Sequence, residues 1–173
     1  MPDLIANVQS VLATSPARWT ALARIDPGLL ARRPAPGEWS AIACLQHVVD
    51  TEHTVFRARV RAILAGRDFE AYDPETQGHA DAIERTAPEL AADLERMRAE
   101  TLPDLGALAE SDLERTARHA ELGMVSLREL LNEWAAHDTM HVVQAERALM
   151  QAFIPGSGPW RPSFADHDAE EPR

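Results

Sequence analysis

Two histidines four residues apart, His137 and His141, stand in the segment Glu133-Trp-Ala-Ala-His137-Asp-Thr-Met-His141. On an α-helix, residues at that spacing lie one turn apart on one face, so both imidazoles can aim at one point. Neutral imidazole is a good ligand for zinc, nickel or iron. Two ligands on one rigid helix lose little entropy when they chelate. A third, from a neighbouring helix, would close one side of the ion and leave the other open to water or substrate. The competing structural role is a buried His–Asp pair. His141 and Asp138 both fall in the apolar stripe of their helix, with His137 at its flank. A histidine and an acid in such a seam are costly unless paired or metal-bound.

The third ligand has to come from elsewhere in the chain. His47 and His53 lie on an earlier helical segment, at opposite edges of its apolar arc, and periodicity does not choose between them. Glu52 sits near the middle of that arc and needs a partner: it is either an acid close to a metal or half of an ion pair with an arginine of another helix. Glu52 and Asp138 are the candidate catalytic carboxylates. Cys44, three residues before His47, makes a Cys-x-x-His pair that could bind zinc. Its small apolar neighbours Ala41 and Ala43 fit a packed thiol better. Asp50-x-x-His53 and Asp138-x-x-His141 mimic the carboxylate–histidine pairs of ferritin-like dimetal proteins, but no Glu-x-x-His occurs. His79, His119 and His167 fall in expected loops or the tail and read as solvated.

The elements that position these residues read as helices, because Ala, Leu, Glu and Arg dominate and apolar residues recur at helical spacing. A first helix covers about residues 3–24. Pro16 either kinks it or opens a second helix capped by Ser15. Residues 26–39 carry Pro27, Gly28, Pro34, Pro36 and Gly37 and read as a loop. Ser40 caps a second helix running to about Leu64, with Gly66 as its stop. Residues 65–85 form a long connection. Thr86-Ala-Pro-Glu89 is a capping box opening a third helix, bent at Pro103. Ser111–Glu114 can cap a short turn, and residues 115–125 read as a loop. Ser126-Leu-Arg-Glu129 caps a fourth helix to about Ala152. The expectation is an all-α four-helix bundle over residues 1–154 with long connections, so that simple up-down-up-down order is not assured. Residues 155–173 form a Pro/Gly-rich tail with an acidic end, expected to be partly mobile, with Trp160 and Phe164 placed to pin its first half.

A chain of 173 residues fits one domain and needs no disulfide staple; its single cysteine allows none within the chain. Acids outnumber bases 28 to 17, for a net charge of −11. That balance argues against nucleic acid and anionic membranes as partners. Every base is arginine, so no lysine is present to form a Schiff base. Residues 1–19 lack the basic start and apolar run of a secretion signal, and no stretch approaches a membrane span. The expected compartment is the cytoplasm.

Several of these motifs occur together in a known order. Gly37-Glu-Trp39-Ser40 is followed by His47 eight residues after the tryptophan and then by Glu52. Later come Gly123, the Ser126-Leu127-Arg128-Glu129 helix start, and His137-Asp138-Thr-Met-His141-Val-Val-Gln144. The set, spanning about residues 4–165, resembles the DinB-like (DinB/YfiT) superfamily. The resemblance implies a four-helix bundle in which one histidine of the second helix and an H-x-x-x-H pair of the last hold one divalent metal. Carried over position by position, the ligands are His47, His137 and His141, and His47 is chosen over His53.

Characterised relatives in that superfamily include transferases and isomerases that use bacillithiol or mycothiol. The resemblance therefore implies an enzyme acting on a small electrophilic molecule, with either a low-molecular-weight thiol or water activated at the metal, and a homodimer. The alternative from a different class is a stress-response protein that binds metal or ligand without turnover.

Overall fold

The computed structural model describes residues 3–73 and 84–169. Part of the expected 65–85 connection, with Pro74, Gly78 and His79, lies outside the described residues, as does the end of the tail.

Helix α1 is Leu4–Leu22, capped by Asp3, whose carboxylate accepts from the Ala6 N–H. It passes through Pro16 as one helix, and Ser15 lies buried inside it rather than capping a second. The first connection is not all loop: Asp26 caps a short helix α2, Pro27–Ala31. Pro27 and Gly28 marked a break, yet proline at the first turn costs a helix nothing, because that N–H has no partner there.

The second bundle helix is three consecutive pieces: α3 (Ala41–Thr51), a π-helical turn (Glu52–Phe56) and α4 (Arg57–Leu64). Ser40 caps it as expected, its hydroxyl accepting from the Ala43 N–H. Helix α5, Ala87–Gly106, begins in the Thr86/Glu89 capping box and contains Pro103. At Gly106 an added Cβ would lie 2.8 Å from Gln9 Nε2, and Gln9 donates to the Leu102 carbonyl at 3.0 Å. A side chain at that position would displace the end of Gln9 and with it the hydrogen bond that ties α1 to α5. Helix α6, Leu127–Met150, begins in the Ser126/Glu129 capping box.

Residues 115–125 depart from the expected loop. Strands β1 (Thr116–His119) and β2 (Gly123–Ser126) form an antiparallel hairpin in which His119 faces Gly123. Gly123 has φ +80°, the left-handed position that closes a three-residue hairpin loop. Four-residue strands are too short to show alternation in sequence. Phe69 adds a parallel bridge: its N–H donates to the Arg118 carbonyl (3.0 Å), and its carbonyl accepts from the Ala120 N–H (3.1 Å).

Around the bundle, α1 packs against α5 and α6, while α3 packs against α6 and α5. The first and second bundle helices therefore stand on a diagonal, as the long 23–40 connection permits. After α6 the chain makes 3₁₀ turns over Ile154–Phe164. Trp160 is exposed and Phe164 half-buried; Ile154 is buried at the start of the segment, Gln151 of the bundle donates to the His167 carbonyl at 2.8 Å, and Arg161 pairs with Asp168 at 2.7 Å within the tail. Among the described residues no helix is long and apolar enough to cross a membrane.

Two apolar clusters fill the interior. One gathers Trp19, Cys44, Val48, Leu94, Met97 and Val142; the other gathers Leu12, Phe56, Ile63, Leu105, Leu131 and Trp134. Between them lies a charged layer. Arg98 Nη2 of α5 reaches Glu52 Oε2 of the π turn at 3.2 Å and Asp138 Oδ1 of α6 at 2.5 Å. Thr101 donates to Glu52 Oε1 at 2.8 Å. All four residues are buried.

Two carboxylates share one guanidinium, so removing the cation strands both. Arg98→Met is expected to lose about 3–5 kcal/mol of unfolding free energy in urea. The combined Glu52→Leu, Arg98→Met, Asp138→Leu variant is expected within about 2 kcal/mol of wild type, because it removes the desolvation cost together with the pairing. Equal losses in the two variants would show that the layer is not the source.

Candidate metal centre

The site lies along the groove between α3 and α6. His137 and His141 extend from α6 one turn apart, and His47 comes across from α3. His47 Nε2 lies 3.0 Å from His137 Nε2, and ligand nitrogens of all three rings lie within 4.8 Å of one another. Nitrogens around a tetrahedral zinc are ~3.3 Å apart, given Zn–N bonds of ~2.0–2.1 Å. The His47–His137 pair is near that spacing, and the 4.8 Å span of the set is wider, so the rings would close in on a shared ion. His141 Nδ1 lies 2.9 Å from Gln144 Oε1. An Nδ1–H donating to that oxygen leaves the Nε2 lone pair free, the usual way a protein fixes the tautomer of a ligating histidine.

Aromatic rings enclose the cluster. Trp39 stacks on His141 with centroids 5.7 Å apart and packs at 4.8 Å from His47. Gly37, at φ +84°, turns the chain just before Trp39 in a conformation that side-chain-bearing residues rarely adopt. Phe56 packs edge-on to His137 at 5.1 Å and stacks on Trp134 at 4.9 Å. Burial consequently favours the neutral imidazoles. It pushes His47 down to about 4, helped by the charge of His141. It pushes His137 down to about 3, with His141, His47, Arg98 and Arg59 adding to the effect. His141 is also lowered, because burial outweighs the Gln144 bond and the attraction of Asp138. Three neutral imidazoles are the form that metals bind.

The other sequence candidates lie apart from this set. Glu52 and Asp138 both bind Arg98 in the charged layer. Burial raises the Glu52 carboxyl, against the lowering effect of Arg98 and the Thr101 hydroxyl. Cys44 is fully buried in the apolar core, where desolvation raises its thiol to about 12, so a thiolate ligand is disfavoured. His53 points to solvent. Asp50-x-x-His53 therefore does not join Asp138-x-x-His141 in a shared centre.

The histidines open on one side into a cleft of about 390 Å³ whose lining includes Trp39, Thr51, Val55, Arg59, Tyr72, His119, Glu133 and Met140. A larger cavity of about 680 Å³, along Thr54–Arg67 and Asp68–Tyr72, contains none of the three. His119 was expected in solvent; it is buried, held by the hairpin and the Phe69 bridge. Its signal in sequence is faint, an inward alternation with Ala117 inside a four-residue strand. Arg59 was not singled out, although it continues the four-residue ladder His47, Thr51, Val55, Arg59. In a regular α-helix each step of four overshoots one turn by ~40°, and such a ladder drifts off its face. The wider turn at Glu52–Phe56 works against that drift and keeps Arg59 on the cleft side. Burial lowers the Arg59 guanidinium, countered by Glu133; burial raises Glu133, countered by Arg59.

The donor set fits a divalent ion: three imidazoles from two helices, neutral in the folded protein, one with its outer nitrogen held by a side-chain carbonyl, and one face open to a cleft. Comparison with known proteins agrees with the architecture. YfiT from Bacillus subtilis, described as a probable metal-dependent hydrolase with an unusual four-helix bundle topology, superposes with a TM-score of 0.71. It is 17% identical, over 86% of this chain and 87% of its own, and the likeness is one of fold. A search of curated proteins finds no match. The family model of the DinB superfamily matches residues 12–145, most of the bundle and all three histidines, and the chain belongs to that superfamily.

Proposed function

We propose that this protein is a metal-dependent enzyme in which His47, His137 and His141 hold one divalent ion, zinc, nickel or iron. The reaction is attack on a small electrophilic molecule by a low-molecular-weight thiol, such as mycothiol or bacillithiol, or by water. The observation that carries this reading is the site itself: three neutral imidazoles from two helices that open toward a cleft. His47, His137 and His141 would hold the ion, whose chemistry there would be to lower the pKa of a thiol or water and so provide a nucleophile at neutral pH. Gln144 orients His141, and Trp39 and Phe56 fix the ring planes. Glu52 and Asp138 act through position, by locking the helices that carry the ligands. The description of YfiT as a hydrolase favours water as nucleophile; the thiol-dependent relatives favour transfer.

Elemental analysis of untagged protein is expected to give about one divalent ion per chain, falling at least tenfold in His141→Ala and His47→Ala. Turnover of an aryl ester, or of an aryl halide with added thiol, is expected to fall with the metal. Two ions per chain would point instead to a dimetal centre. A tightly held ion without turnover of either substrate class would leave a binding protein.

The metal-free protein should also show a definite pH dependence. His47 and His137 titrate near 6.5 when unfolded but near 4 and 3 when folded. Between those values the unfolded chain binds more protons, so stability rises with pH there. Full stability is expected above about pH 6.5, with loss as the pH falls toward 4 and below. Replacing both residues with glutamine should flatten that slope in urea titrations; an unchanged slope would show that the histidines are not buried as a neutral set.

A further inference from the structure

Arg59 and His119 meet in the cleft in a way that the metal site does not explain. His119 Nδ1 accepts two backbone N–H groups, from Glu121 at 3.1 Å and Leu122 at 3.3 Å. A ring nitrogen that accepts carries no proton, so the imidazole proton sits on Nε2. Nε2 lies 3.4 Å from Arg59 Nη2, which also donates to the Glu70 carbonyl at 3.2 Å. An Nε2–H and a guanidinium N–H are both donors and cannot bond to each other. They face one space and need a common acceptor. His119 is 6% exposed, and Arg59 has no ion-pair partner among the described residues. Its nearest electrostatic counterpart is Glu133 on the cleft wall, outside ion-pair distance.

We propose that Arg59 and His119 form a carboxylate-binding subsite for the substrate. This rests on the reading of the cleft as the active site and narrows its substrate class to small organic carboxylates. The pair also lines an adjoining chamber of about 350 Å³ with Phe69, Leu122, Met124 and Leu130. An apolar group attached to the carboxylate fits there, and the reactive end faces the histidines in the shared cleft. Phe69 orders the pair: Arg59 lies over its ring at 5.4 Å, and His119 meets it edge-on at the same centroid distance. Glu121, Glu129 and Glu133 line the same two spaces, so a ligand with further negative charge is disfavoured.

Two measurements on the metal-free protein test this without relying on the metal. Long-range ¹H–¹⁵N correlation should show His119 as the Nε2–H tautomer, with that resonance moving on addition of butyrate. An Nδ1–H tautomer would let Nε2 accept from Arg59, satisfy the pair internally and overturn the proposal. Calorimetry should show butyrate binding at least about tenfold more tightly than butyramide, the worth of one charge-assisted contact. Arg59→Met should abolish that preference and His141→Ala should keep it. Equal affinity for the two ligands in the wild type, or an unchanged preference in Arg59→Met, would refute the subsite. If Arg59→Met does not fold, the wild-type tautomer and the butyrate–butyramide comparison still decide. Failure of the protein to retain metal would bear on the proposed metal centre alone.

Discussion

A single guanidinium in the middle of the bundle sets the positions of the rest. Arg98 comes from α5 and binds a carboxylate from each of the two helices that carry the histidines. Such a layer is a poor way to gain stability. Arg98 Nε and Nη1 and Asp138 Oδ2 make no hydrogen bond within the described protein, and desolvating three charges costs several kcal/mol per ion. What it provides is register. Leucine and valine pack in many axial alignments, whereas two acids sharing one cation favour those that bring both within reach of it. Asp138 adjoins His137, and Glu52 lies just over one turn beyond His47. The alignment that satisfies Arg98 is thus the one that brings His47 Nε2 to 3.0 Å from His137 Nε2.

The π turn belongs to the same constraint. It begins at Glu52, the residue that Arg98 holds, and it alters the phase of everything after it. Phe56 turns inward to pack on both Trp134 and His137, so the charged layer, the aromatic wall and one imidazole form a continuous set of contacts. Arg59, a further turn on, reaches the cleft. One insertion in the hydrogen-bond ladder serves both the buried ion pair and the open face of the site.

How much could be read from the sequence follows from the range of each interaction. Capping boxes at Thr86 and Ser126 are local chemistry, and the helices begin where those residues place them. The pairing of His137 with His141 is also local, since helix periodicity alone aligns them. His47 was open to choice on periodicity and was selected only by resemblance. The structure shows why: His53 follows the charged layer and points to solvent through a turn that is not α-helical, a deviation that a 3.6-residue wheel does not contain. The partner of Glu52 was foreseen as some arginine, but Arg98 lies 46 positions away, and nothing in the local pattern selects it over the other bases. The hairpin is local, but its strands are only four residues long, too short for an alternating pattern to show.

The same division separates the two ends of the site. Its metal-facing side is built from residues on regular helices, where a ring once placed is held by packing on both neighbours. Its outer side draws largely on connections: the turn before Trp39, the Phe69–Tyr72 stretch and the β1–β2 hairpin. A bundle with its first two helices on a diagonal needs long crossings, and two of these crossings border the cleft beside the histidines. Arg59 and Glu133 reach into this outer half from helices, Arg59 by way of the π turn. Changes in the Phe69–Tyr72 stretch or the hairpin can therefore reshape the cleft away from the imidazoles, whereas Trp39, which packs on His47 and His141, ties its own connection to them. The Arg98 layer makes that separation possible, because it holds the helix register independently of the connections.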